Sequence, residues 1–205
     1  MTDKHEAAVF IVDDDEAVRD SIAELVSSVG LHACTFASAQ QFLDAFDRER
    51  PGCLVLDVRM AKMSGPALQE KLGAQGATIP IVFISGHGDI AVAVKTIKAA
   101  AVDFVQKPYR DQHLLDSINE ALQRDAERRQ AAGVRNGFTE RQATLTERER
   151  EVMTLAVKGL SSKVTAQALG ISYRTVELHR SHILDKLGVR SVTELMRLTF
   201  EQHHT

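Results

Sequence analysis

The 205-residue sequence contains only two cysteines, Cys34 and Cys53, and their separation matches no metal-binding spacing. So few cysteines argue against a disulfide framework and against a structural zinc site, and they favour a reducing compartment. The sequence also has no apolar stretch long enough to cross a membrane and no signal peptide at its start. We therefore expect a soluble cytoplasmic protein that does not bind a membrane.

Charged residues are distributed unevenly along the chain. Residues 1–125 carry 12 Lys and Arg against 19 Asp and Glu, whereas residues 126–205 carry 13 against 9. With a hydrophobic content of 44%, this length and this change of sign predict two small domains, each with its own core. The acidic half suggests a bound cation, and the basic half suggests a polyanionic partner.

Short apolar runs alternate with helical periodicity in the acidic half. Five runs predict buried strands, the last of them more weakly than the others: Val9–Val12, Cys53–Leu56, Ile81–Ile84, Val102–Val105 and Ala33–Phe36. Apolar residues with helical spacing lie between them, for example from Val18 to Val29. This alternation predicts an α/β, doubly wound, five-stranded parallel sheet with helices on both faces.

Polar side chains stand where these predicted strands end. They are Asp13 and Asp14 after the first run, then Asp57, Ser85 and Lys107. Because the carboxyl ends of parallel strands meet at one edge of a sheet, we expect the five side chains to converge. Such an oxygen-rich set suits Mg²⁺, with Asp57 as an ionised nucleophile and with Lys107 and Ser85 holding phosphoryl oxygens.

Each of these residues has a simpler explanation when it is taken alone. Asp57 could be a turn former or a helix cap, and Lys107 could be a solvated lysine before a proline. Ser85 could begin a plain loop in which His87 is a surface histidine. Their joint occurrence at successive strand ends favours the phosphoryl site.

Five ordered motifs, V-D-D-D, L-D-V-R-M, M-S-G, I-S-G-H-G-D and F-V-Q-K-P, resemble the receiver domain of FixJ-type two-component response regulators over about residues 7–125. The resemblance implies that Asp57 accepts phosphate from a sensor histidine kinase. It implies that Asp14, Asp57 and the Arg59 backbone carbonyl ligate Mg²⁺, with Asp13 acting chiefly through water. It also implies three residues that respond to the phosphoryl group, namely the switch hydroxyl Ser85, the switch aromatic Phe104 and the phosphoryl partner Lys107.

Two positions depart from the pattern of this family. Ala61 stands where its members usually have a proline, which leaves that loop less restrained. Ala100 stands where they commonly have glycine, so this alanine is strained if the backbone needs a positive φ there. Neither change touches the predicted site, and both lie near elements that move in the family.

The last helical pattern of the acidic half, Leu114 to Leu122, continues into residues 123–130, which keep helix-forming residues but have no large apolar ones. We predict a solvated helical extension that ends near Gly133, and a linker from there to about residue 143. Residues 126–142 would thus join the two domains.

Four helices are predicted in residues 143–205. Capping residues mark their starts: Thr146 with Glu149, Ser161 or Ser162, Ser172, and Ser191 with Glu194. Gly170 makes a tight turn between the second and third helices, as in a helix-turn-helix. Small helical bundles without DNA contain such pairs too, so this geometry alone does not decide the function.

The third of these helices has an apolar stripe, Val176, Ile183 and Leu187, and a polar face rich in cations and hydroxyls. The polar positions are Arg174, Thr175, Glu177, His179, Arg180, His182 and Lys186. Such a face suits phosphates and base edges in a major groove. A merely solvated face is the alternative, and the acidic Asp185 in the same helix is compatible with it.

Residues 145–198 resemble the LuxR-type DNA-binding domain through L-T-E-R-E-R-E-V, K-G-L-S-S-K, L-G-I-S, T-V-E-L-H and D-K-L-G-V-R-S. The resemblance places three residues against bases: Glu177, Leu178 and Ser181. It places four nearer phosphates: Thr175, His179, Arg180 and Lys186. Family members usually have an acidic residue and Ile where this chain has Val164 and Thr165, so we expect Thr165 to occupy a core position poorly.

We therefore expect a phosphorylation-controlled transcription regulator that uses Mg²⁺, with no enzymatic activity beyond its own phosphorylation and slow dephosphorylation. Its expected partners are a sensor histidine kinase, promoter DNA, a second copy on phosphorylation through residues 90–122, and RNA polymerase as a further possible one. A phosphohydrolase is a rival function, but such enzymes carry a second Asp where this chain has Arg59. A phosphate-independent DNA-binding or interaction module is the other alternative.

Overall fold

The computed structural model describes residues 6–86, 93–94, 96–97 and 99–203, with the backbone alone for 201–203. The chain divides into two compact units, Met1–Arg128 and Arg129–Thr205. His87 and much of the helix predicted over Val92–Ala100 lie outside the described residues, and the described residues 93–94 and 96–97 are helical. No helix in the described part of the chain is long and apolar enough to cross a membrane.

The first unit contains a five-stranded parallel sheet with the order β2-β1-β3-β4-β5. Its strands are β1 (Ala8–Val12), β2 (His32–Phe36), β3 (Gly52–Asp57), β4 (Ile81–Ser85) and β5 (Asp103–Gln106). All residues of β1, β3 and β4 are buried, as expected for strands covered on both faces. The predicted fold is confirmed, including the weaker second strand.

Helices cover both faces of the sheet and give the unit two hydrophobic layers. The first helices are α1 (Glu16–Ser28), α2 (Ala39–Ala45) and α3 (Gly65–Ala74). Phe10 points to the layer that contains α2 and α3, whereas its neighbour Ile11 points to the layer that contains α1. This alternation follows from the two-residue period of a strand and fixes which strand residues can reach the sheet edge.

The next helix, α4 (Asp111–Ala143), is one continuous helix of 33 residues. The predicted helix end near Gly133 and the predicted linker over residues 133–143 are therefore wrong. The reason is Phe138, which is 1% exposed and packs in the core of the second unit. Burial of a phenylalanine contributes about 2 kcal/mol, which offsets the roughly 1 kcal/mol that each of Gly133 and Gly137 costs within the helix.

The prediction of a solvated extension is also wrong at one residue, Asp125. Its side chain is buried, and its Oδ2 accepts the backbone N–H of Gly52 at 3.0 Å. Arg128 forms an ion pair with the other oxygen. The sequence signal was absent because the partner amide lies 73 residues away.

The second unit contains the end of α4 and four helices, α5 (Glu147–Val157), α6 (Ser162–Leu169), α7 (Tyr173–Leu187) and α8 (Val192–His203). The predicted caps Thr146, Ser161 and Ser172 are confirmed. At the last predicted box, the Glu194 N–H bonds Ser191 Oγ, but the Glu194 carboxylate accepts the Arg190 N–H and leaves the box incomplete.

Candidate functional site

Three carboxylates meet at the carboxyl ends of β1 and β3. One oxygen each of Asp13, Asp14 and Asp57 lie within 4.8 Å of one another. Asp13 and Asp57 are buried, with 1% and 7% exposure, whereas Asp14 is exposed. The sequence places these residues together because parallel strands end at the same edge of the sheet.

Each carboxylate of this cluster accepts one backbone N–H. The three bonds are Asp15 N–H to Asp13 Oδ1 at 2.9 Å, Arg59 N–H to Asp57 Oδ2 at 2.7 Å and Ala61 N–H to Asp14 Oδ2 at 2.8 Å. Such bonds stabilise the charged form of a carboxylate and fix its direction. Sequence reasoning did not identify the role of Ala61, because its partner lies 47 residues away along the chain.

Lys107 joins the two buried carboxylates. Its Nζ donates to Asp13 Oδ2 at 2.9 Å and to Asp57 Oδ1 at 2.8 Å. Its own backbone N–H donates to the Ser85 carbonyl at 2.6 Å, so the end of β4 sets the position of the lysine. The structure thus brings four of the five predicted strand-end side chains into mutual contact or close proximity.

The electrostatics of this group follow from burial and from the lysine. Burial raises the pKa of Asp57, the hydrogen bond from Lys107 lowers it, and the Asp13 charge raises it, with a net rise. Burial lowers the pKa of Lys107, but its hydrogen bonds to Asp57 and Asp13 raise it by more. Lys107 therefore stays charged while the carboxylates compete for its positive charge.

Ser85 and Phe104 lie on the two strands beside this cluster. Ser85 is buried at the end of β4, and its Oγ donates to the Gly86 carbonyl at 3.2 Å. The half-buried Phe104 pairs with Phe83 across the β4–β5 ladder, with the ring centroids 6.4 Å apart. Ser85 thus lies one strand away from Asp57, and Phe104 lies two strands away, on the strand that leads to Lys107.

The loop from β3 to α3 packs directly beneath Asp57. A Cβ atom on Gly65 would lie 2.4 Å from the Asp57 carbonyl oxygen, a distance that no real contact allows. The Gly65 N–H donates to the Val58 carbonyl at 3.1 Å, and Ser64 caps α3. The M-S-G motif therefore has a physical basis, a helix cap followed by the glycine that lets α3 approach the end of β3.

The donor set at this edge fits a hard divalent cation. The carboxylates of Asp13, Asp14 and Asp57 are all oxygen ligands of the kind that Mg²⁺ prefers. Backbone amides orient all three carboxylates, and Lys107 contacts two of them.

The second candidate site is one face of α7, which follows α6 after a turn at Gly170 with φ +65°. Four residues on this face are exposed at helical spacing: Arg174, Glu177, Leu178 and Ser181. The exposed fraction of Leu178 is 55%, which is unusual for a leucine in a small domain. Val176, Ile183 and Leu187 are buried on the opposite face, as predicted.

Other predicted DNA contacts are engaged within the unit. Arg180 Nη2 donates to the Leu160 carbonyl at 2.6 Å, and Lys186 Nζ lies 2.7 Å from Glu149 Oε2. The Thr175 hydroxyl is 2.8 Å from Ser172 Oγ, within the cap of α7. Among the described residues, His179 Nδ1 is buried without a hydrogen-bond partner.

Glu149 has a second role beside the predicted capping box. It is buried and accepts the N–H and the hydroxyl of Thr146 at 2.8 and 3.0 Å as well as Lys186. Lys186 and these bonds outweigh burial and lower the pKa of Glu149 to about 2. The capping signal could be found in sequence, but the ion pair could not, since its partners lie 37 residues apart.

Comparison with known protein families gives two matches in the order in which the units occur. The response regulator receiver domain matches residues 9–119, and the luxR family of bacterial regulatory proteins matches residues 143–199. The chain belongs to the response regulators. The predicted resemblance to both families is confirmed, and this response regulator is a phosphorylatable, DNA-binding transcriptional regulator rather than a typical enzyme.

Individual relatives agree with this assignment over nearly the whole length. This response regulator is 45% identical to the transcriptional regulatory protein TdiR of Thauera aromatica over 93% of this chain and 84% of the relative. It resembles the solved structure of the response regulator StyR with a TM-score of 0.83 and 45% identity, covering 96% and 99% of the two chains. Full-length FixJ from B. japonicum gives a TM-score of 0.60 and 36% identity, covering 98% and 99%.

Proposed function

We propose that Asp57 is the phosphoacceptor and that it receives its phosphoryl group from the phosphohistidine of a sensor kinase. The observation that carries this proposal is the Lys107 ammonium, which contacts Asp57 at 2.8 Å and Asp13 at 2.9 Å. A lysine held between two buried carboxylates is placed to follow negative charge as it moves from the donor to Asp57.

The transfer needs positioning and charge neutralisation more than bond-making help from the protein. An oxygen of the Asp57 carboxylate attacks phosphorus, and the phosphorus–nitrogen bond to the kinase histidine breaks. The imidazole leaves with the electron pair and takes up a proton. Lys107 then binds one oxygen of the new acyl phosphate, and the Ser85 hydroxyl at the end of β4 donates a hydrogen bond to a second oxygen.

Asp14, Asp57 and the Arg59 carbonyl would hold Mg²⁺, with Asp13 acting chiefly through water. When bound, Mg²⁺ supplies positive charge to the phosphoryl oxygens. The chain's own contribution is the orientation of the ligands, through the amides of Asp15, Arg59 and Ala61.

Two of the predicted residues would carry the change away from the acceptor. Ser85 moves toward the phosphoryl group, and Phe104, whose ring lies 6.4 Å from that of Phe83 on the same strand as Ser85, turns inward. The surface formed by about residues 90–122, which include β5 and the start of α4, then becomes the interface of a homodimer. A dimer would place two copies of the DNA-binding unit on paired half-sites.

The DNA-binding unit would insert α7 into a major groove. Within the exposed stripe, Glu177, Leu178 and Ser181 supply base contacts, with Glu177 suited to a cytosine amino group, and Arg174 lies on the same face. Four neighbouring residues lie nearer the phosphates of the DNA backbone: Thr175, His179, Arg180 and Lys186. The receiver comprises residues 7–125, the joining segment comprises residues 126–142, and the DNA-binding domain comprises residues 143–205. The protein acts in the cytoplasm, where RNA polymerase is a further partner.

Labelling with acetyl phosphate tests the proposed acceptor. We expect one acid-labile phosphate per chain in the presence of Mg²⁺ and none after chelation or in Asp57→Asn, which keeps the shape of the side chain. Undiminished labelling of that variant would show that another residue is the acceptor. A promoter fragment titrated with and without acetyl phosphate at fixed salt tests the coupling to DNA, since affinities at different salt cannot be compared.

A further inference from the structure

The amide that holds Asp14 differs from the two other amides of the carboxylate cluster. Asp13 and Asp57 each accept the N–H of the residue two positions later, within their own turn. Asp14 instead accepts the N–H of Ala61, which belongs to the loop after β3. This bond therefore ties the first acidic loop to the loop that carries Asp57 and Arg59.

Asp14 needs such a tie more than its neighbours do. It is exposed, and none of its contacts in the described structure is with Lys107, which bonds Asp13 and Asp57. An exposed carboxylate beside two others would turn toward water, because like charges repel. The Ala61 N–H at 2.8 Å from Asp14 Oδ2 keeps it inward and leaves its other oxygen available to a cation.

We propose that Ala61 is a positioning residue for Mg²⁺, acting through its backbone amide on Asp14. The inference rests on the proposed function, since it concerns the same cation site. Removal of a group that hydrogen-bonds a metal ligand and orients it typically lowers metal affinity 10- to 100-fold. The chain's departure from proline at this position thus adds a ligand-orienting donor that a proline could not supply.

The Ala61 side chain is exposed, which makes the amide testable apart from the side chain. Ala61→Ser keeps the N–H and is the matched control, whereas Ala61→Pro removes the N–H. Isothermal titration calorimetry of the full chain with MgCl₂ gives the dissociation constant of each. We expect Ala61→Pro to bind Mg²⁺ about tenfold more weakly than wild type and Ala61→Ser to bind it as wild type does.

A second variant separates loss of the hydrogen bond from distortion of the loop by proline. Replacing Ala61 by lactic acid turns the amide into an ester and removes only the N–H. This ester variant should lose Mg²⁺ affinity to the same extent as the proline variant. In an Asp14→Asn background, where the ligand charge is gone, neither change should weaken Mg²⁺ binding further.

Several results would overturn the inference. Wild-type affinity in the proline and ester variants would do so, as would a loss in the proline variant alone or an equal loss in the Asp14→Asn background. Failure of wild type itself to bind Mg²⁺ and to take up phosphate would instead overturn the proposed function.

Discussion

Lys107, just past the end of β5, reaches Asp57 at the end of β3, with its Nζ 2.8 Å from Oδ1, although β4 lies between these two strands. The lysine spans a strand because the edge of the sheet is open there. Its ammonium is in hydrogen-bond contact with the Asp57 carboxylate.

Removal of this lysine should shift the pH dependence of phosphorylation. Asp57 must be ionised to attack, and in Lys107→Met the pKa of Asp57 should rise further, because burial and the Asp13 charge raise it and the Arg59 N–H is left to lower it without the lysine. Labelling by acetyl phosphate should then fall off at a higher pH than in wild type. Initial rates between about pH 4 and pH 8 measure this, and Lys107→Arg, which keeps the charge, should lie nearer wild type; coincident profiles for all three would contradict the assigned role.

Gly65→Ala should destabilise the first unit and impair phosphorylation together. The added Cβ meets the Asp57 carbonyl oxygen at 2.4 Å, so α3 or the acceptor strand must shift, at a cost of about 1–3 kcal/mol. Gly73→Ala is the matched control in the same helix, because nothing lies within 4 Å of its Cβ, and it should stabilise by about 0.5–1 kcal/mol. Urea unfolding checks both, and equal effects would refute the contact.

Ala100→Gly should stabilise the receiver. The backbone φ of Ala100 is +65°, which is the left-handed conformation in which the sequence predicts strain at this alanine. Glycine adopts it without the roughly 1 kcal/mol that a Cβ costs there. Gly76→Ala, at φ +72° in open space, makes the reverse change and should destabilise by a similar amount. Thermal unfolding compares them, and destabilisation by Ala100→Gly would be the contrary result.

Thr165→Val should stabilise the DNA-binding unit by about 1 kcal/mol. Thr165 is fully buried, and its hydroxyl has no hydrogen-bond partner among the described residues, which agrees with the expectation that it occupies a core position poorly. Thr199→Val is the control, because the buried Thr199 hydroxyl donates to the Leu195 carbonyl at 2.8 Å. That variant should lose stability, and a gain of equal size in both would show that the unpaired hydroxyl is irrelevant.

The Glu149–Lys186 pair should make the stability of the DNA-binding unit depend on pH in acid. The folded pKa of Glu149 is about 2, below its ordinary 4.5, so its contribution is complete above about pH 4.5 and lost as the pH falls toward 2. Glu149→Gln should flatten this part of the profile and cost about 2 kcal/mol at pH 7, where a charged hydrogen bond is lost. Circular dichroism during urea unfolding at several pH values measures the slope, and an unchanged slope in Glu149→Gln would exclude the pair as its source.

Local signals were sufficient for the strands, the caps and the convergence of carboxylates. Thr146, for example, is recognisable because its partner Glu149 lies three residues away and forms the predicted box. Parallel pairing of β1 with β3 then brings Asp13 close to Asp57, because Asp13 directly follows β1 and Asp57 is the last residue of β3.

Contacts between distant positions were not accessible in the same way. Phe138 extends α4 only because the second unit buries its ring, and Asp125 is buried only because Gly52 offers an amide. The same holds for Gly65, whose requirement depends on how closely α3 approaches Asp57. In each case the missing quantity was a tertiary neighbour, which one chain's local pattern does not encode.

The bond between Lys107 and Asp13 spans 94 residues of chain. During synthesis the amino end emerges first, so the acidic loop leaves the ribosome long before the lysine that completes its site. Until then Asp13 and Asp57 lack the ammonium that contacts both of them, so we expect the carboxylate cluster to be complete only after β5 has joined the sheet. The sequence separation of this pair thus makes completion of the site depend on completion of the sheet, which is a consequence of topology.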